Sequence, residues 1–97
     1  MGDFNKLKVE PKEIDCDGEK FMIYPLKTKD QYLMMDMKEQ NKKEEAYRKI
    51  IRSSLRMPEI TNEQIDEIPL KYSNLIMEVI MELNGMEEKA QKLMNQM

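Results

Sequence analysis

At 97 residues, 40% hydrophobic and 36% charged, with a net charge of −3, the chain has the size and composition of a single domain with a modest core. It holds no histidine, no tryptophan and one cysteine, Cys16, against eleven methionines. That inventory excludes histidine acid–base chemistry, an internal disulfide and a mixed thiolate–imidazole metal site, and it leaves a chain better suited to grip apolar surface than to catalyse.

Taken in chain order, residues 1–10 show no period and are expected to form a flexible arm. A β-hairpin is expected over 11–26, because Asp17-Gly18 suits a two-residue turn with positive φ at both positions. Counting outward pairs Cys16 with Glu19, Ile14 with Phe21 and Lys12 with Ile23. Ile14, Cys16, Phe21 and Ile23 then share one face, with Met22 and Tyr24 on the other.

Thr28 and Gln31 have the spacing of a capping box, so a helix is expected to start at Thr28. Tyr32, Leu33, Met34, Met35 and Met37 give it a broad apolar surface. The charged run 38–45 interrupts the stripe, which resumes at Tyr47, Ile50, Ile51 and Leu55. Residues 28–56 therefore read as one helix or a kinked pair, with a break near Asn41 as the alternative. Met57-Pro58 ends the segment.

Residues 61–85 read as a short helix followed by a long amphipathic one. In ITNEQIDEI, Thr61 and Gln64 form a second box and Ile60 can staple against Ile65. Pro69 suits the first turn of the long helix, whose Tyr72, Leu75, Ile76, Val79, Ile80 and Leu83 keep the helical period until Asn84-Gly85. Met77 and Met81 widen that stripe beyond one packing face. The tail 86–97 carries Met86, Ala90, Leu93, Met94 and Met97 at a weak helical spacing, as a helix or a frayed end. The expected class is α+β: one mainly helical domain with an N-terminal hairpin and three to four helices.

Charge is unevenly distributed. Residues 1–56 carry 13 basic against 11 acidic side chains, a net +2, whereas residues 57–88 carry Lys71 alone against eight acids, a net −7. The favoured consequence is attraction between the two parts of one fold. The apolar runs near Leu75 and Ile80 are split by Glu78 and Glu82, which argues against a membrane span. With no apolar signal segment at the N-terminus, the expected location is the cytoplasm.

Candidate chemistry is sparse. Asp15 and Asp17 flank Cys16 and disfavour its thiolate, so a small strand-face residue is the better reading than a nucleophile. A calcium loop counted from Asp15 fails, with Lys20 where glycine is required and Leu26 where a bidentate acid is required. Glu63, Asp66 and Glu67 cluster without a cause for shifted pKa values. No cofactor, metal or catalytic residue is expected. Arg48, Lys49, Arg52 and Arg56 fall on about a quarter of one helix face and suit either phosphate contacts or docking of the acidic 57–88 region; the second is favoured, since stacking aromatics are not interleaved.

The order of DGEKFMIYPLKTKDQYLMM and ITNEQIDEIPLKYSNLIMEVIMELNG, a strand running into a helix and then an acidic capped helix before a proline-started amphipathic one, resembles the tail assembly chaperones of long-tailed bacteriophages and prophages. The likeness covers about residues 14–85. It implies a mainly helical fold with a small β element and a non-enzymatic role: shielding apolar helices of the tape measure protein, with the tail tube protein as a second partner. On this reading Met34, Met35, Met37, Met77 and Met81 form the client-binding surface. A weak homo-oligomer is left open. The alternatives are a nucleic-acid-binding regulator using the Arg48/Lys49/Arg52/Arg56 stripe, and a head–tail connector or neck subunit.

Overall fold

A computed structural model describes residues 2–86 of the chain. Strands β1 (Lys12–Cys16) and β2 (Glu19–Ile23) form an antiparallel hairpin, and four helices follow: α1 (Gln31–Asp36), α2 (Lys43–Leu55), α3 (Asn62–Asp66) and α4 (Leu70–Leu83). The fold is α+β, as the sequence led us to expect.

The hairpin has the expected register, with Lys12 opposite Ile23, Ile14 opposite Phe21 and Cys16 opposite Glu19. Asp17 and Gly18 take φ of 54° and 92°, both positive as the tight turn demands. The Asp15 carboxylate accepts a 2.7 Å hydrogen bond from the Gly18 N–H and braces the turn. Ile14 and Ile23 are buried, Cys16 and Phe21 half-buried, and Met22 exposed on the opposite face. A two-stranded hairpin is barely stable alone. Here its apolar face is covered by α2 and α4.

The core is built from Ile14 and Ile23 of the hairpin, Leu33 of α1, Ala46, Ile50, Ile51 and Leu55 of α2, Ile65 of α3, and Ile76, Val79 and Ile80 of α4. The α2 and α4 members recur at three-, four- and one-residue steps, one face of each helix. Not one of these buried apolar residues is a methionine. Met34, Met37, Met57 and Met77 extend the edge of the core while remaining part-exposed, whereas Met22 and Met35 stand exposed.

Both long helices end in the same way. At α2, Arg56 turns left-handed with φ 52°, and the N–H groups of Arg56 and Met57 return to the carbonyls of Ser53 and Arg52. At α4, Gly85 takes φ 70°, and the N–H groups of Gly85 and Met86 return to Glu82 and Met81 at 3.1 and 2.8 Å. Each is a Schellman closure, satisfying carbonyls that the helix leaves without partners. The chain leaving β2 is tied to both ends: the Tyr24 N–H donates to the Ser54 carbonyl at 2.7 Å, and the Leu26 N–H to the Asn84 side-chain oxygen at 2.9 Å. The Asn84 amide also donates to the Ile80 carbonyl at 2.6 Å.

Four expectations need correction. Thr28 is not a cap: the chain enters α1 through a 3-10 turn, Thr28–Asp30, with Lys27 at its cap position and no side-chain cap bond, and the Gln31 N–H that the box would need for the Thr28 hydroxyl is spent on the Thr28 carbonyl. The single-helix reading of residues 28–56 gives way to its alternative, two helices parted near Asn41: the stretch 37–42 forms successive turns between α1 and α2, since its charged residues offer no apolar surface whose burial would hold a helix. The arm contains a 3-10 turn, Phe4–Leu7, capped by the Asp3 carboxylate on Asn5 N. Pro69 stands at the N-cap, with Leu70 opening α4. By contrast, the Thr61–Gln64 box forms with both reciprocal bonds, 3.1 and 2.9 Å. The tail helix expected from 86 to 97 lies outside the described residues apart from Met86.

Two substitutions separate the backbone ties from incidental burial. Asn84→Ala removes the acceptor for Leu26 and should lower the unfolding free energy in urea by about 1–3 kcal/mol. Ser54→Ala keeps the backbone acceptor for Tyr24 and removes a buried hydroxyl that has no partner, so stability should stay level or rise by up to about 1 kcal/mol.

Candidate helix-binding groove

Within α4, Met77 and Met81 each follow a core isoleucine, Ile76 and Ile80, by one position. They therefore sit about 100° round the helix from the core and one turn apart from each other. In α1 the short helix buries only Leu33, which leaves Met34 and Met37 half-exposed and Met35 66% exposed. The α1 and α4 surfaces face a common space. A groove of about 1210 Å³ is lined by Met34, Met35, Met37, Met77 and Met81, with Met86 at its end.

All five methionines singled out from the sequence thus line one site. Met86 had been assigned to the tail; the α4 closure bonds its N–H to Met81 and sets it on the groove wall. Polar residues complete the lining: Lys27, Lys38 and Lys43 with Thr28, Gln31 and Asn84, and no carboxylate.

The basic stripe is dispersed. Arg48 forms a bidentate pair with Asp66 of α3, Nε to Oδ1 at 3.0 Å and Nη2 to Oδ2 at 2.8 Å. Arg52 donates through Nε to the Ile60 carbonyl at 2.9 Å and through Nη2 to the Asn62 side chain. Lys49 pairs with Glu45 at 3.2 Å. Arg56 lies beyond the end of α2, so it leaves the helical stripe, and its guanidinium stacks 3.9 Å from the centroid of the Tyr24 ring. The favoured expectation, docking of the acidic segment onto α2, is what Arg48 and Arg52 do; Lys12 of β1 likewise reaches Glu82 of α4 at 3.1 Å.

Burial, and then the charges of Asp15 and Asp17, push the Cys16 thiol up from its ordinary value, which suppresses the nucleophilic thiolate. Glu63 on α3 and Glu67 at its C-cap stand exposed, while Asp66 is engaged with Arg48. Among the described residues no three acidic or thiol side chains gather at metal-binding distances, and no helix is long and apolar enough to cross a membrane.

The hydrogen bonds from Arg48 hold the Asp66 carboxyl below its ordinary value. A lowered folded-state value means that the pair stabilises the fold above the unfolded carboxyl's pKa, about 3.9, and that this contribution is lost as pH falls through the folded value. The stability difference between the wild type and Asp66→Asn, measured in urea from about pH 7 to pH 3, should therefore shrink on acidification. A difference independent of pH would show that the pair contributes nothing through its charge.

Compared with family models, curated proteins and solved structures, the chain has no significant match in any of the three.

Proposed function

We propose that this protein is a non-enzymatic tail assembly chaperone of the long-tailed bacteriophage type, which holds apolar helical segments of the tape measure protein in its methionine groove during tail morphogenesis. The observation that carries the reading is the separation of residue types. Isoleucine, leucine, valine and alanine fill the core, and six methionines from α1, the following turn and the end of α4 converge on one open concavity.

The groove's volume, about 1210 Å³, is on the order of that of two turns of a helix 10–12 Å across. Methionine is unbranched and polarizable, and its three side-chain torsions let one wall conform to different apolar stripes. A client that presents many related amphipathic segments needs such tolerance more than it needs shape complementarity to one sequence. Burying the thioether side chains against a client supplies the driving force. The resemblance in residues 14–85 supplies the client's identity.

Met35 and Met81 are the residues with which to test it, because neither belongs to the set packed against the core. The double variant Met35→Gln/Met81→Gln should weaken binding of a tape-measure helical fragment by about tenfold or more while changing the unfolding free energy by less than about 1 kcal/mol. Unchanged capture by a folded variant would refute the groove as the client site.

A further inference from the structure

The walls of the groove are apolar, but its surroundings carry a charge opposite in sign to that of the whole chain. Lys27, Lys38 and Lys43 stand on its rim. Past the shared residues Leu26 and Lys27, the groove adjoins a second cleft of about 510 Å³, where Lys29, Lys49, Arg52 and Arg56 join Lys27 and the sole acid is Asp30. Seven cations and one carboxylate therefore line two concavities that share Leu26 and Lys27, on a protein whose net charge is −3.

These cations are largely without compensation. Among the described residues only Lys49 has a carboxylate within ion-pair distance, Glu45; Lys27, Lys29, Lys38 and Lys43 have none. Arg52 spends its donors on a carbonyl and an amide, and Arg56 on an aromatic face, all neutral groups that leave the positive charge in place. The acids of the C-terminal half that do find partners sit elsewhere: Asp66 at Arg48 and Glu82 at Lys12.

We infer that the occupant of this surface is an acidic amphipathic helix, one whose apolar stripe fills the methionine groove while carboxylates on its flank meet the lysines of the rim and the cations of the adjoining cleft. The inference rests on the groove being a helix-binding site and adds the chemistry that selects among helices. Charge complementarity sets partner choice and encounter rate more than it sets raw affinity, and like charges across an interface reject the wrong partner. A nucleic acid would satisfy the cations but has no apolar stripe for the methionines. The chain's own segment 87–97 holds Glu87 and Glu88 against Lys89 and Lys92, and so brings no net charge to the rim.

The test uses the full chain and three helical peptides that share one leucine stripe and differ only in a flank of Glu, Gln or Lys, with binding followed by calorimetry at low and high salt. The Glu peptide should bind about tenfold or more tightly than the Gln peptide and the Lys peptide most weakly, with the ranking collapsing at high salt. Lys27→Gln/Lys29→Gln/Lys38→Gln, three exposed positions, should abolish the preference, so that the Glu and Gln peptides bind with equal affinity. Equal binding of all three peptides, sensitive to Met35→Gln/Met81→Gln, would overturn the charge inference and leave the groove standing. Failure of every peptide to bind would overturn the groove itself. Displacement of the Glu peptide by a peptide of residues 87–97 or by an oligonucleotide, or a stable dimer that the lysine substitutions dissociate, would assign the surface to another occupant and overturn the inference.

Discussion

The arrangement depends on the short connector that leaves the hairpin. Its backbone is held at Tyr24 by the Ser54 carbonyl at the end of α2 and at Leu26 by the Asn84 side chain at the end of α4. Those two bonds bring the C-terminal ends of the two long helices to one strand exit. They seat the hairpin's apolar face on α2 and α4, and they place Leu26 and Lys27 on the divide between the groove and the cationic cleft. The Schellman closures serve the same junction. One turns Arg56 back over Tyr24, and the other aims Met86 into the groove.

A second constraint is the division between branched and unbranched apolar side chains. Isoleucine and valine have few rotamers and pack densely, so they specify one core. Methionine has many rotamers and specifies a shape poorly, which is a drawback in a core and an asset on a surface that must fit several partners. Met34, Met37 and Met77 touch the core with one side and the groove with the other, so groove and core share a wall. Met35 and Met81 belong to the groove alone.

Local signals were legible where the relevant partners lie close in sequence. Asp17-Gly18 specified the hairpin and its register, Thr61 and Gln64 the box, and the spacing of Ile76, Val79 and Ile80 the buried face of α4. Met77 and Met81 were legible as a widening of the aliphatic stripe of α4, whereas the contact of Met34, Met37 and Met77 with the core emerges only from tertiary packing. Thr28 misled because the spacing of a capping box does not reveal whether the threonine stands at the cap or one residue inside a 3-10 turn. The break at 37–42 and the departure of Arg56 from its stripe depend on tertiary burial and on the helix closure, which helical periodicity does not encode. The cationic cleft was hidden for a similar reason. Lys27 and Lys29 are twenty residues or more from Lys49, Arg52 and Arg56, and only the connector's attachment to α2 brings them together.

The central claim is that the methionines of α1, the turn after it and the end of α4 act as one binding surface. Carbon-13 labelling of the methionine methyl groups, followed by NMR during titration with an amphipathic helix, observes each of them directly. The account predicts saturable shifts at Met34, Met35, Met37, Met77, Met81 and Met86, all with one dissociation constant, while Met22 on the far face of the hairpin and Met57 beyond α2 stay in place. Shifts led by Met22 or Met57, or none at the groove methionines, would contradict it.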